Sequence, residues 1–207
     1  MVEYTMRVEE IYLLEDGPTE VGARTSIADA EWAEQEAWKA ESQPGLVLWT
    51  DGSRDENGAV GYAVAWWKRQ SWAGRKAHME YYQVAYDAEC ATIARALDAA
   101  ADRAKRRKLG RVRIFTDAQA AIKRMTHGER GPGQTYALQA RQAIAALRKQ
   151  EPAVKIEIRW YRAHKGIPGN ELAEAAIQRV GRPRRRMAEA CGQEWATAHA
   201  ADLPGAP

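Results

Sequence analysis

The hydrophobic positions between residues 46 and 180 change period several times, and these changes predict the order of strands and helices. Short stretches rich in β-branched and aromatic residues are typical of strands, whereas apolar residues spaced three or four apart are typical of helices. The predicted strands cover 46–51, 59–68, 76–84, 111–116 and 153–161. The predicted helices cover 87–108, 118–126, 134–150 and 170–180.

This order, βββαβααβα, predicts an α/β fold with a mixed five-stranded sheet flanked by helices. Three consecutive strands joined by short turns favour an antiparallel meander, with a turn expected at Gly74 before the third strand. The later strands are separated by helices, which favours their addition in parallel orientation.

The two ends of the chain differ in composition from this central part. Residues 1–43 are predicted to hold a strand at 4–14 and a helix at 28–40, and the composition shifts after Gln43-Pro44-Gly45. We therefore expect an acidic leader before residue 44 and one domain over 44–180. The remainder, 181–207, is first basic and then rich in Ala, Gly and Pro, and is expected to be a flexible tail.

Carboxylates stand at the ends of two predicted core strands and on the apolar face of one helix. Asp51 ends Leu-Val-Leu-Trp-Thr-Asp, and Asp117 ends Val-Arg-Ile-Phe-Thr-Asp. Glu89 lies four and eight residues before Ile93 and Leu97, so it shares their helical face. A single Asp after a strand is usually a turn former or a helix cap. Three converging carboxylates, however, need a compensating partner, and an all-oxygen site suits Mg²⁺ or Mn²⁺.

Four motifs resemble those of the ribonuclease H family, in the family's order. They are Thr-Asp51-Gly-Ser, Tyr86-Asp-Ala-Glu89, Phe-Thr-Asp117-Ala-Gln-Ala-Ala and Ala-His164-Lys-Gly-Ile-Pro-Gly-Asn170-Glu-Leu-Ala-Glu174. The resemblance covers about residues 45–180 and implies a ribonuclease H-like fold, in agreement with the predicted element order. The form Val-Ala-Tyr-Asp-Ala-Glu of the second motif looks most like ribonuclease H domains of LINE-type retrotransposon polyproteins, fungal ones especially.

The resemblance implies an endonuclease that cleaves the RNA strand of RNA/DNA hybrids with two Mg²⁺ ions, for which Mn²⁺ can substitute. Asp51 would bridge the two ions, and Glu89 and Asp117 would complete their coordination. Glu174 would support the ion that activates water, and the products would carry a 5′ phosphate. The implied partners are the hybrid and a reverse transcriptase region of the same polyprotein, which the acidic leader would join to this domain.

The fourth motif departs from the family pattern at one carboxylate. Most members have Asp ten residues after the loop histidine, whereas this chain has Glu174, whose extra methylene changes the reach of the carboxylate. Glu171 lies on roughly the same helical face and could substitute, but we expect Glu174 to be the ligand. His164 matches the histidine that helps protonate or release the product, a role that suits an imidazole.

Substrate contacts are expected near the first two motifs and at the start of the last helix. Hybrids are recognised through shape, phosphates and 2′-hydroxyls, so the backbone amides of Gly52 and Ser53 are expected contacts. Tyr86 stands near the position where many members contact a 2′-hydroxyl through Asn. Asn170, which can also cap the last helix, is assigned to substrate binding. A basic run could track phosphates or complement a helix dipole, and it comprises Arg103, Lys105, Arg106, Arg107, Lys108 and Arg111.

Charge is distributed unevenly along the 207 residues, whose net charge is only +3. Residues 1–43 carry −8 and the remainder carries +11, which favours an anionic partner for the remainder. The hydrophobic content of 45% excludes wholesale disorder. The N-terminus lacks the pattern of a secretory signal, the two cysteines are far apart, and no apolar run approaches the ~20 residues of a membrane span. We therefore expect an intracellular protein in a reducing compartment, with no membrane partner.

Two other functions stay open at this point. A catalytically weak or inactive module for nucleic-acid binding or assembly is indicated by Glu174, by Tyr86 and by the lack of the extra basic helix that some members use to hold hybrids. A related DNA-cutting nuclease or integrase is a third reading. The Thr-Asp-Gly-Ser motif followed by the His164 loop argues against that third reading.

Overall fold

The computed structural model describes residues 9–10, 24–26, 30–56, 58–68, 70–79, 83–126, 130–178 and 193–196. The described residues form one mixed sheet with helices on both faces. Its strands are β1 (Glu9–Glu10), β2 (Arg24–Ser26), β3 (Leu46–Arg54), β4 (Val60–Lys68), β5 (Ser71–His78), β6 (Arg111–Thr116), β7 (Lys155–Trp160) and β8 (Gln193–Ala196). The helices are α1 (Ala30–Ala40), α2 (Ala85–Ala104), α3 (Gln119–Thr126), α4 (Gln134–Gln150) and α5 (Pro168–Gln178).

Five of these strands form the predicted mixed sheet, which confirms the α/β fold class. β3, β4 and β5 make the antiparallel meander, and β6 and β7 are added in parallel orientation. The strand order over the described part of the chain is β1-β2-β7-β6-β3-β4-β5-β8. Residues 46–50 of β3 and 112–116 of β6 are all buried, as expected for central strands that are covered by helices on both faces.

The third strand lies earlier in the chain than predicted. It covers Ser71–His78 rather than 76–84, and Gly74, predicted to form a turn, lies inside it and pairs with β4. Trp67 of β4 faces Trp72 of β5 with the ring centroids 5.1 Å apart. Such an aromatic cross-strand pair helps to fix register, so the chain turns just beyond these two residues rather than at the glycine.

Parts of the predicted leader and tail join the sheet or pack on it. Helix α1 starts two residues later than predicted and lies within the leader. Of the predicted strand 4–14, Glu9–Glu10 is a strand and the other residues lie outside the described part. In contrast to the predicted flexible tail, Gln193–Ala196 pairs antiparallel with β5, whose edge offers unpaired backbone groups. The rest of 179–207 lies outside the described residues, and the predicted domain boundaries stay predictions.

The sheet separates two hydrophobic clusters. One face carries α2, which packs against β3, β4 and β6, and α4, which packs against α2. The opposite face carries α1 and α5 and is built around the aromatic side chains of Trp49, Phe115 and Tyr161. Among the described residues, no helix has the length and apolar character needed to span a membrane.

Trp49 of β3 is fully buried at the centre of the second cluster. Its ring stacks on Phe115 of β6 with the centroids 4.6 Å apart, and it meets Tyr161 edge-on at 5.6 Å. Gly169 of α5 lies so close that a Cβ atom at this position would be 2.0 Å from Trp49 Cδ1. Helix α5 can therefore approach the sheet here only because residue 169 has no side chain.

Replacing Gly169 by alanine tests this close contact. We expect Gly169→Ala to lower the free energy of unfolding by about 1 to 3 kcal/mol, because α5 or the buried Trp49 ring must move. Helix propensity alone would favour alanine, so the two effects have opposite signs. Gly110→Ala is the matched control, since a Cβ atom there meets nothing within 4 Å and should change stability by at most about 0.5 kcal/mol. Urea denaturation measures both variants, and equal midpoints would contradict the prediction.

Candidate active site

β3 and β6 run side by side in parallel, and each places an aspartate at the same level. Trp49 is aligned with Phe115. Asp51 and Asp117 each follow two residues later, so the register puts them on neighbouring strands and on the same face. Thr50 reinforces this alignment, because its hydroxyl donates a hydrogen bond to the Phe115 carbonyl at 3.0 Å. The two aspartates predicted from the sequence are therefore neighbours.

Glu89 reaches the same place because α2 packs directly on β3 at Gly52. A Cβ atom at residue 52 would be 2.5 Å from the Ala88 carbonyl carbon and 2.7 Å from the Glu89 nitrogen. Two backbones can approach this closely only at a glycine. Burial and then the charge of Asp117 raise the pKa of the Glu89 carboxyl, so the side chains of residues 89 and 117 influence each other.

Helix α5 and the loop before it bring the remaining two predicted catalytic residues. The charge of Glu174 contributes to raising the pKa of both Asp51 and Asp117. His164 lies between β7 and α5, and its Nδ1 is 3.4 Å from Glu174 Oε2. The imidazole is 76% exposed. Its backbone φ of 54° lies in the left-handed region, which is uncommon for a residue other than glycine.

The carboxyl group of Asp51 is strongly perturbed by its surroundings. Its pKa is raised to about 7, mainly by burial and further by the charges of Asp117 and Glu174. A hydrogen bond from the Gly52 amide and the charge of His164 oppose it without cancelling it. Burial is also the main cause that raises the pKa of Asp117. The site therefore crowds carboxylates where water screens their repulsion poorly.

The chemistry of this donor set fits a divalent cation. The four carboxylates offer only oxygen ligands, which Mg²⁺ and Mn²⁺ prefer. A cation among them would offset the repulsion that contributes to the raised pKa of Asp51. Within the described residues, no group of three or more His, Cys, Asp or Glu side chains is placed so that it could hold a metal ion as it stands. The Mg²⁺ site therefore stays a prediction.

Asn170 does not lie at the substrate surface, in contrast to its predicted role. Helix α5 begins at Pro168, earlier than expected, which is a favourable place for proline. Asn170 is therefore inside the first turn, is only 3% exposed, and accepts a hydrogen bond from the hydroxyl of buried Tyr161. We correct its assignment from substrate binding and helix capping to a structural role, in which it joins α5 to the end of β7.

The other three residues predicted to contact substrate are Gly52, Ser53 and Tyr86, and each has a different environment. The Gly52 amide donates a hydrogen bond to the Asp51 carboxylate, so this amide is engaged within the site. Ser53 is half-buried within β3. Tyr86 packs on the hydrophobic core, where burial and the neighbouring Cys90 raise its pKa to about 12. Substrate contacts at residues 52, 53 and 86 stay predictions.

Two aromatic residues at the end of β7 support the site and were missed by the sequence analysis. Trp160 is aligned with Thr116 of β6, and its indole nitrogen donates a hydrogen bond to the Asp117 carbonyl at 3.0 Å. Tyr161 holds Asn170 and is itself fully buried. The sequence offered one signal for them. Trp160 and Tyr161, two aromatic residues that can form hydrogen bonds, end the predicted strand 153–161.

The basic run lies at the opposite end of α2 from the carboxylates. Sixteen residues separate Glu89 from Lys105, which is about 24 Å along a helix. Lys105 pairs with Asp102 at 2.9 Å, and the Arg103 guanidinium lies 4.5 Å from the centre of the Trp66 ring. These contacts give two members of the run structural partners, and phosphate binding by the run stays a prediction.

Comparison with known proteins gives one family match. The RNase H family model matches residues 43–180, more than half of the chain. A comparison with curated proteins finds no match.

Several solved structures are similar to parts of this chain. The N-terminal RNase H domain of Rv2228c from Mycobacterium tuberculosis is 19% identical, with 65% of this chain and 94% of that chain covered and a TM-score of 0.48. LC11-RNase H1 in complex with an RNA/DNA hybrid is 16% identical, with 65% and 98% covered and a TM-score of 0.48. RNase H1 from the halophilic archaeon Halobacterium salinarum is 16% identical, with 65% and 96% covered and a TM-score of 0.45.

Replacing Asp51 by asparagine should stabilise the metal-free protein at high pH. The pKa of Asp51 is raised from 3.8 to about 7 on folding, so its ionised form opposes folding, and stability is lost as the pH rises from about 4 through about 7. We expect Asp51→Asn to raise the free energy of unfolding by about 1 to 3 kcal/mol at about pH 8 and to have little effect at about pH 4. Urea denaturation in the presence of a chelator measures this difference.

A carboxylate away from the site serves as the control for this prediction. Asp98 forms an ion pair with Arg95 at 2.6 Å on the same helix. Asp98→Asn should give no stabilisation at about pH 8, because it removes an ion pair rather than a repulsion between carboxylates. An equal gain from Asp51→Asn at both pH values would show that its effect does not come from ionisation.

Proposed function

Because the chain belongs to the RNase H family, we propose that it is a metal-dependent endonuclease that cleaves the RNA strand of RNA/DNA hybrids. The observation that carries this proposal is the convergence of carboxylates from β3, β6, α2 and α5, three of which have a raised pKa. Crowded carboxylates oppose folding unless a cation offsets their charge. Perturbed groups of this kind are typical of functional sites.

Two Mg²⁺ ions, or Mn²⁺ in their place, would supply Lewis-acid chemistry for phosphodiester hydrolysis when bound. Asp51 would hold them together with Asp117 and Glu174, whose charges both act on it. Glu89 would complete the set from the α2 side. The amide of Gly52 donates a hydrogen bond to the Asp51 carboxylate, which limits the rotation of this side chain.

His164 would move a proton as the product leaves. Hydrolysis joins a water oxygen to phosphorus and breaks the bond to the 3′ oxygen, which needs a proton to leave as a hydroxyl. The His164 imidazole is exposed and its Nδ1 lies beside Glu174, so its other ring nitrogen can face solvent or product. The products are a 5′ phosphate and a 3′ hydroxyl.

We further propose that the domain serves reverse transcription of a retroelement, with a reverse transcriptase region of the same polyprotein as its partner. The support is the Val-Ala-Tyr-Asp-Ala-Glu form of the motif that opens α2. DNA sequence on either side of the coding region tests this part separately. It should encode a reverse transcriptase in the same reading frame, and an unrelated neighbouring gene would argue against it.

Cleavage of a labelled RNA/DNA hybrid in Mg²⁺ or Mn²⁺ tests the proposed activity. We expect Asp51→Asn to lower the cleavage rate by more than about 100-fold, which exceeds the usual effect of residues that only support a metal ligand. Asp98→Asn, distant from the site, should retain the wild-type rate. Absence of cleavage with either metal would contradict the proposal. Hybrid binding without cleavage would instead favour the binding module.

Variants of Glu174 test which carboxylate of α5 acts at the site. We expect Glu174→Gln to lower the cleavage rate by about 10- to 100-fold, because it removes a charge that acts on Asp51. Glu174→Asp should keep most of the activity, since it retains the charge. Glu171→Gln is the matched control on the same helix and should cleave at the wild-type rate. Loss of activity in Glu171→Gln with none in Glu174→Gln would reassign the role to Glu171.

A further inference from the structure

Helix α1 packs on the face of the sheet that carries α5. Its small residues Ala33, Ala37 and Ala40 are at most 2% exposed. Ala37 and Ala40 belong to the cluster centred on Trp49. Alanines spaced three and four residues apart let a helix backbone approach its neighbour closely, so α1 has a defined surface against this face.

The C-terminal end of α1 is held by a buried arginine. The guanidinium of Arg113, which is fully buried in β6, donates hydrogen bonds to the carbonyls of Ala40 at 3.2 Å, Gln43 at 3.1 Å and Pro44 at 3.3 Å. Carbonyls at a helix C-terminus lack partners within the helix and carry partial negative charge. The Trp49 indole adds a hydrogen bond to Glu41 just beyond the helix. The end of α1 is therefore fixed to both central strands.

Two further carboxylates of α1 reach residues on either side of the end of β7. Glu36 pairs with Arg159 of β7 at 3.0 Å. Glu34 pairs with Lys165 at 3.3 Å, and both side chains are about one-third exposed. Lys165 directly follows His164 and precedes Gly166, and these two neighbours have positive φ values of 54° and 68°. The ion pair therefore attaches to α1 the residue that lies between these two left-handed backbone positions.

We propose that Glu34 and Lys165 are positioning residues for His164, so that helix α1 of the acidic leader holds the loop on which the reaction depends. The proposal rests on the proposed function, because His164 has its role only in hybrid cleavage. A residue in the left-handed region persists only where its surroundings fix it. Tyr161 and Asn170 join the two ends of the loop through their hydrogen bond, and Lys165 links the loop to α1 between those ends.

Steady-state cleavage of the hybrid by the full chain tests the role in turnover. We expect Glu34→Gln and Lys165→Gln each to lower kcat by about two- to fivefold with KM unchanged, in line with a partly exposed ion pair. The double variant should be no worse than either single variant, and exchanging the two charges in Glu34→Lys with Lys165→Glu should restore kcat. In a His164→Ala background, Glu34→Gln should have no further effect. Independent losses in the double variant would overturn the proposal.

Glu36→Gln is the matched control, because it removes an ion pair of the same helix that does not reach the loop. It should leave kcat at the wild-type value, whatever its effect on stability. A loss of kcat in Glu36→Gln equal to that in Glu34→Gln would show that general loosening of α1 is responsible, and would overturn the specific role of Lys165.

Hydrogen exchange of the unliganded protein tests the same proposal without using activity. Backbone amides of residues 162–166 should exchange about two- to fivefold faster in Glu34→Gln and Lys165→Gln than in the wild type or in Glu36→Gln. Amides of β6 should not change. Unchanged exchange at 162–166 would overturn the proposal. If the wild type cleaves no hybrid but exchange responds as expected, the proposed function fails while the coupling of α1 to the loop stands.

Discussion

The packing around Trp49 is the contact on which the arrangement of the site depends. Its buried ring stacks on Phe115 and so holds β3, which contains Asp51, against β6, which Asp117 directly follows. Gly169 packs so closely against the same ring that a side chain at this position would clash with it. This contact positions the first turn of α5 on the sheet. Catalytic side chains need positions accurate to a fraction of an ångström. Here a rigid aromatic ring, rather than the polar groups themselves, provides that accuracy.

The polar groups of the site work against folding while the aromatic cluster supports it. Asp51 is pushed toward its protonated form by burial and by its acidic neighbours. Stability alone would favour an amide at this position, since an amide keeps similar volume without the charge. Local rules of stability are commonly broken at functional sites and compensated elsewhere. In this protein the compensation lies close by, in the contacts of Gly52 with α2 and of Trp160 with the Asp117 backbone.

The sequence predicted best what depends on local pattern. Asp51, Asp117 and Glu89 could be placed together because strand ends and helical faces follow from period and from the order of elements. The third strand was misplaced because Gly74 was interpreted as a turn, although glycine also serves inside paired strands. The role of Asn170 was missed because its partner, Tyr161, is identified only once the loop between them is folded. A hydrogen bond between two such residues leaves no periodic pattern in the sequence.

The acidic leader differs from the rest of the chain in composition, yet its helix α1 packs on the core of the domain. Its net charge separates it from the rest of the chain, yet α1 packs through buried alanines, which a count of charges does not register. Its carboxylates at Glu34 and Glu36 pair with Lys165 and Arg159, more than a hundred residues away. The opposite net charges of the two segments, −8 and +11, are thus partly complementary across one interface. Since α1 neutralises these two cations beside the site, the proposed attraction of a nucleic acid would depend on basic residues elsewhere on the surface.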